Sequence, residues 1–98
     1  MIRHIVMWDV KEEVKDKQGA MEKVKKLLEA LHDEVPGILK IKVIINDIES
    51  SNRDIALFCE FQSLDVLAAY QVSKGHVEAG KYIKSVLTNR ACLDYEVE

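Results

Sequence analysis

The sequence predicts an α+β fold of the ferredoxin-like type, a sandwich in the order β-α-β-β-α-β with a four-stranded antiparallel sheet and its helices on one face. Three observations predict it. Stretches of two-residue alternation stand at both ends of the chain and as a pair in its middle. Stretches of three- and four-residue apolar spacing separate them. The two middle stretches are joined by a short polar connection, NDIESSN at 46–52, which suits an antiparallel hairpin.

Ile2 to Val10 is the first strand, with Ile2, His4, Val6, Trp8 and Val10 on one side and Arg3, Ile5, Met7 and Asp9 on the other. From about Lys15 to Glu34 the period changes. Met21, Val24, Leu28, Leu31 and Val35 make one helical stripe, stopped by Pro36-Gly37. Ile38 to Ile45 and Asp54 to Phe61 are the hairpin strands. Ser63 suits an N-cap, with Asp65 in the first turn. Leu64, Leu67 and Ala68 begin a second stripe, which breaks near Val72–Gly75 and resumes through His76, Gly80, Ile83 and Leu87. Ala91 to Val97 alternates again as the last strand.

The chain of 98 residues fits one domain, 1–98. Its net charge is −3 with no basic block, which argues against nucleic acid as a partner. No stretch approaches the roughly 18 apolar residues of a membrane span, and the start of the chain does not read as a signal peptide. A cytoplasmic location is expected. Cys59 and Cys92 form no C-x-x-C pair and read as reduced, small hydrophobes. A disulfide between them requires neighbouring strands. His4, His32 and His76 show no metal-ligand spacing. Nucleophile-elbow, phosphate-loop and dinucleotide signatures are absent. Neither a metal nor a cofactor is expected.

Two helices cover only one face of such a sheet. The expected covered face holds Ile2, Val6, Trp8, Val43, Ile45, Ile55, Leu57, Cys59, Phe61, Leu93 and Tyr95. The other face carries Ile5, Met7, Ile44, Ala56, Phe58 and Cys92, ringed by Arg3, Asp9, Lys42, Asp54, Glu60, Arg90 and Asp94. An apolar centre inside a charged rim is the anatomy of an interface. The expected partner is a second copy about a two-fold axis, closing a dimeric α+β barrel through Ile5, Met7, Ile44, Ala56 and Phe58.

Residues 70–83, YQVSKGHVEAGKYI, hold the candidate site. The spacing turns His76 toward the sheet in the first turn of its helix, where burial and the helix dipole both favour a neutral imidazole. Such a group serves as a general base or hydrogen-bond partner. Tyr70 is expected to bring its hydroxyl to the mouth of the same pocket. His4 lies on the helix-facing side of the first strand with Val6 and Trp8. Gly75 and Gly80 remove bulk beside His76. The expected ligand-lining residues are His4, Val6, Trp8, Leu57, Gly80 and Ile83, with His76 and Tyr70 as the catalytic pair and a small hydrophobic or aromatic molecule as the ligand.

MIRHIVMWDVKEE, then PGI, DIALFCEFQSLDVLAAYQVSKGHVE and the closing LDYE together resemble the stress-responsive α/β-barrel (Dabb) domain family over nearly the whole chain. The resemblance implies a ferredoxin-like protomer and a barrel-forming dimer. It implies a small protein with no assigned reaction or, as in the cyclising plant members, an aldol-type ring closure. In those members a histidine matching His76 and a tyrosine matching Tyr70 carry the chemistry, with a histidine matching His4 nearby. Many members have a His-Pro pair before the second histidine, and Ser73-Lys74 stands there in this chain. Three functions follow: a ligand-binding or stress-associated domain without turnover, a cofactor-free enzyme acting on a carbonyl substrate, and, on fold analogy alone, a cofactor-free monooxygenase.

Overall fold

The computed structural model describes residues 1–97. Four strands, β1 (Ile2–Val10), β2 (Ile38–Ile45), β3 (Ile55–Phe61) and β4 (Leu87–Glu96), alternate with helices α1 (Lys17–Glu29), α2 (Leu64–Val72) and α3 (Lys74–Val86). The sheet order is β2-β3-β1-β4 and every neighbouring pair is antiparallel. This is the ferredoxin-like arrangement that the order of elements predicts. Among the described residues no helix is long and apolar enough to cross a membrane.

The alternation of β1 holds along its length. Ile2, His4, Val6, Trp8 and Val10 are buried, while the residues between them face the open side. Leu57 and Val43 lie opposite each other, as do Ala56 and Ile44, so the hairpin carries the same two faces outward. Helix α1 starts on the Asp16 carboxylate, which accepts from the Gly19 N–H at 2.9 Å, and buries Ala20, Met21, Val24 and Leu28. It is shorter than its stripe suggests. Ala30–Asp33 tighten into a 3-10 turn. Pro36 disfavours helical geometry at Val35, and the tighter bonding satisfies the last carbonyls before the chain turns into β2. Gly37 makes that turn at φ 96°, and a Cβ there would meet Val66 Cγ2 at 2.6 Å.

Helix α2 is capped by Ser63, whose Oγ accepts from the Val66 N–H at 3.3 Å. Leu67 and Tyr70 are its inward residues. Leu64 and Ala68, expected on the inward stripe, are exposed. A helix of this length has one inward strip, and the large Tyr70 ring fixes which one. Leu87, expected on the stripe of α3, instead opens β4 and pairs with Val10.

Strand β4 carries the largest correction. It begins four residues before the alternation suggests, and its faces are reversed. The pairing runs Val10 with Leu87 and Asp9 with Thr88, then shifts, resuming as Met7 with Ala91 and Ile5 with Leu93. Asn89 and Arg90 together oppose Trp8, and Asn89 sits at φ 56°. This is a β-bulge whose first residue is left-handed. A one-residue slip turns every later side chain to the opposite face. Leu93 and Tyr95 therefore lie on the open side of the sheet, opposite Ile5 and Arg3. Cys92 and Asp94 lie on the helix side, opposite Val6 and His4. Cys59 lies opposite His4 across the other edge of β1. With β1 between them, the two cysteines stand about 10 Å apart, beyond disulfide reach, and both are free.

Candidate functional site

The site forms at the seam between α2 and α3. Ser73 ends the first helix and caps the second. Its hydroxyl donates to the Tyr70 carbonyl at 2.8 Å and accepts from the His76 N–H at 3.3 Å. Ser73 thus ties Tyr70 to His76 without a proline. The two rings meet edge-on with centroids 4.6 Å apart. Tyr70 also packs on Phe61 at 5.0 Å and lies 6.3 Å from the ring of His4.

Beneath α3 and against β1 is an apolar cavity of about 220 Å³. His4, Val6, Trp8, Leu57, Tyr70, His76, Gly80 and Ile83 all line it. Nothing lies within 4 Å of a Cβ added at Gly80, so that glycine opens the space. Gly75 does not. A Cβ there would meet Leu31 Cδ2 at 2.6 Å, and its N–H donates to the Glu34 carboxylate at 2.7 Å. Its lack of bulk serves the packing of the helix start against the 3-10 turn that follows α1.

Burial disfavours the His76 imidazolium and outweighs the opposing pull of the Gln71 carbonyl, with His4 and Arg90 adding to the effect of burial, so its pKa falls below the ordinary histidine value. Tyr70 is completely buried. Its hydroxyl is sealed from solvent and has no hydrogen-bond partner, a correction to the expected place at the cavity mouth. The Cys59 sulfur beside it does not meet it at bonding geometry. Burial pushes the phenol well above its ordinary range and pushes the Cys59 thiol up to about 12.

Sequence reasoning missed three residues because it placed them on the other face of β4. The Asp94 carboxylate hydrogen-bonds the buried His4 at Nδ1, which fixes the ring and leaves Nε2 free of that bond. The Cys92 sulfur lies 3.8 Å from the same Nδ1. The three atoms fall within 4.8 Å of one another, a spacing open to metal ligation. However, burial and Asp94 raise the Cys92 thiol, and the nearby Arg90 cation only partly offsets them. As it stands the group is a hydrogen-bonded His–Asp pair with the Cys92 sulfur beside it. Arg90 itself lines the cavity. His32 is remote from all of this, bonded to Asp33 and to the Leu39 carbonyl.

A ferredoxin-like protomer with a ring-sized cavity between sheet and helices defines the class. The chain belongs to the family described as Stress responsive A/B Barrel Domain, whose sequence pattern matches residues 2–97. It is similar to a dimeric ferredoxin-like protein of unknown function from Bacteroides fragilis, at 35% identity and a TM-score of 0.89 over 98% of this chain and 95% of that one. A dimeric ferredoxin-like protein of unknown function from Thermobifida fusca is 23% identical, with a TM-score of 0.86 over 98% and 90%. A hydroxynitrile lyase from Passiflora edulis shares the fold at 17% identity, with a TM-score of 0.81 over 99% and 93%. No curated protein matches the sequence.

Proposed function

We propose that the chain is a homodimeric, cytoplasmic domain that binds a small hydrophobic or aromatic molecule between sheet and helices. One observation carries the binding reading. The apolar cavity of about 220 Å³ is bordered by the half-buried His76, with the Tyr70 ring in its wall. An empty apolar cavity of about 150 Å³ accepts benzene, so this one has room for a substituted ring. Ligand-observed NMR against a carbonyl and phenolic library tests the reading. Wild type should bind members that His76→Ala binds at least about tenfold more weakly and that Gly80→Leu, which fills the space, does not bind. Equal binding by all three proteins would remove the cavity from the function.

The dimer reading rests on the open sheet face. Met7, Ile44 and Leu93 are 39%, 46% and 62% exposed, and Ile5, Ala56 and Phe58 lie among them. Leu93 and Tyr95, turned outward by the bulge, enlarge the apolar patch beyond what alternation alone gives. The two ferredoxin-like relatives from B. fragilis and T. fusca are described as dimeric. Light scattering at micromolar concentration should return twice 11.2 kDa, and Phe58→Asp should return the single mass.

A second reading, cofactor-free catalysis, is favoured by the neutral imidazole held edge-on to Tyr70. His76 would take a proton alpha to a substrate carbonyl, and the Tyr70 hydroxyl, once turned from its sealed position into the cavity, would donate to the enolate oxygen that forms. His76→Gln and Tyr70→Phe should then each remove turnover while binding survives.

A further inference from the structure

Resting on the binding reading above, we propose that the cavity selects a ring-sized carboxylate, its charged group held between Arg90 and Lys84 at the rim and its ring against Trp8 and Ile83. The lining residues include these two cations and no aspartate or glutamate. The chain as a whole is acidic, at −3, so two cations and no acid among the lining residues is a local departure from the composition, with the nearby Asp94 carboxylate bonded to His4. Neither Arg90 nor Lys84 forms an ion pair among the described residues.

The bulge is what brings Arg90 there. With unbroken alternation from Leu87, which is buried, residues 89, 91, 93 and 95 would face the helices and Arg90 would point into the open sheet face. The left-handed Asn89, held by its side-chain amide donating to Asp9 at 2.8 Å, turns Arg90 into the cavity. Bulges are frequently found where a side chain must be re-aimed next to a site. The guanidinium fork suits a carboxylate in two-bond geometry. An apolar wall behind it lowers the local dielectric and strengthens the pairing. The ligand is divided between two regions: Arg90 and Lys84 take the acid at the rim, and His76 meets whatever polar group sits deeper.

Titration calorimetry with 4-acetylbenzoate and its neutral counterpart 4-acetylbenzamide tests this. Wild type should prefer the acid by about tenfold, with the preference shrinking as salt is raised. Arg90→Gln should bring the ratio of the two affinities to about one, and Lys84→Gln should lower it part of the way. Equal affinities in wild type, or a preference that survives both substitutions, would overturn the proposal while leaving the binding reading in place. Failure of wild type to bind either compound would overturn both.

Discussion

The two edges of the sheet are finished in opposite ways. At the β2 edge, α1 lies over Ile38, Ile41 and Val43, all buried, and its side chains also reach the exposed backbone. The Glu29 carboxylate accepts from the Val43 N–H at 2.9 Å, and Lys25 donates to the Val43 carbonyl at 2.9 Å. His32 does the same for the Leu39 carbonyl. An edge strand with its polar groups occupied is a poor template for another chain. At the β4 edge the cover is thinner, with Arg53 donating to the Asn89 carbonyl at 2.8 Å. After Leu87, every described residue through Glu96 except the half-buried Ala91 is exposed, and α3 stands off far enough to leave the cavity. One half of the protomer is a filled core and the other an apolar hollow with polar groups arranged around it. The lesson is that one sheet supplies both rigidity and a site, provided the helices fit one edge and miss the other.

The two thiols give the sharpest contrast. Cys59 lies in the filled half with no exposure and its pKa at about 12, whereas Cys92 is exposed at the open edge. A thiol reagent under native conditions should label one cysteine per chain, and peptide mapping should identify it as Cys92. Labelling of Cys59 should wait for global unfolding. Equal labelling rates would mean that the β3 side is not sealed.

Next in size are deletions in the filled half. Phe61 has no exposure and packs on Tyr70 and His4, so Phe61→Ala should cost about 3–5 kcal/mol in urea unfolding. Asn89 probes the other half. A valine at φ 56° should cost on the order of 1–3 kcal/mol, while Asn89→Gly, free of that strain, should stay within about 0.5 kcal/mol of wild type. If valine is as well tolerated as glycine, the bulge does not set the geometry of β4.

These edges also mark where the sequence was readable. Strict alternation in Ile2–Val10 and Ile55–Phe61 gave β1 and β3 their faces correctly, and β2 kept its expected face from Ile41 onward because its own register shift, between Ile38 and Lys40, falls at the start of the strand. The spacing from His76 through Gly80 to Ile83 likewise put those residues over the sheet. The last strand was read backwards because a bulge leaves little trace in the pattern. Its signal is one asparagine, a residue that tolerates left-handed geometry but occupies many ordinary positions as well. Asp94 was consequently separated from His4, and Arg90 from the cavity. Gly75 was misread for a different reason. A glycine reports that a Cβ is unwelcome, not whether a ligand or a neighbouring Leu31 takes its place.

The smallest effect compares two histidines, one at each edge. His76, in the hollow, titrates below the ordinary histidine value because burial disfavours its charge. His32, at the sealed edge, titrates above it because Asp33 and the Leu39 carbonyl favour the charged ring. Their contributions to stability therefore run in opposite directions on either side of about pH 6.5. As pH falls below that value, the unfolded chain takes up the proton that folded His76 refuses, and stability declines until the folded value is passed. As pH rises through the same value toward the raised pKa of His32, the unfolded chain releases a proton that the folded ring still holds, and that support is lost. Urea midpoints measured across roughly pH 5 to 8 should show His76→Gln flattening the acid limb and His32→Gln flattening the neutral one. An acid limb that keeps its slope in His76→Gln would mean that the imidazole is open to water, and a histidine open to water has no claim on the cavity.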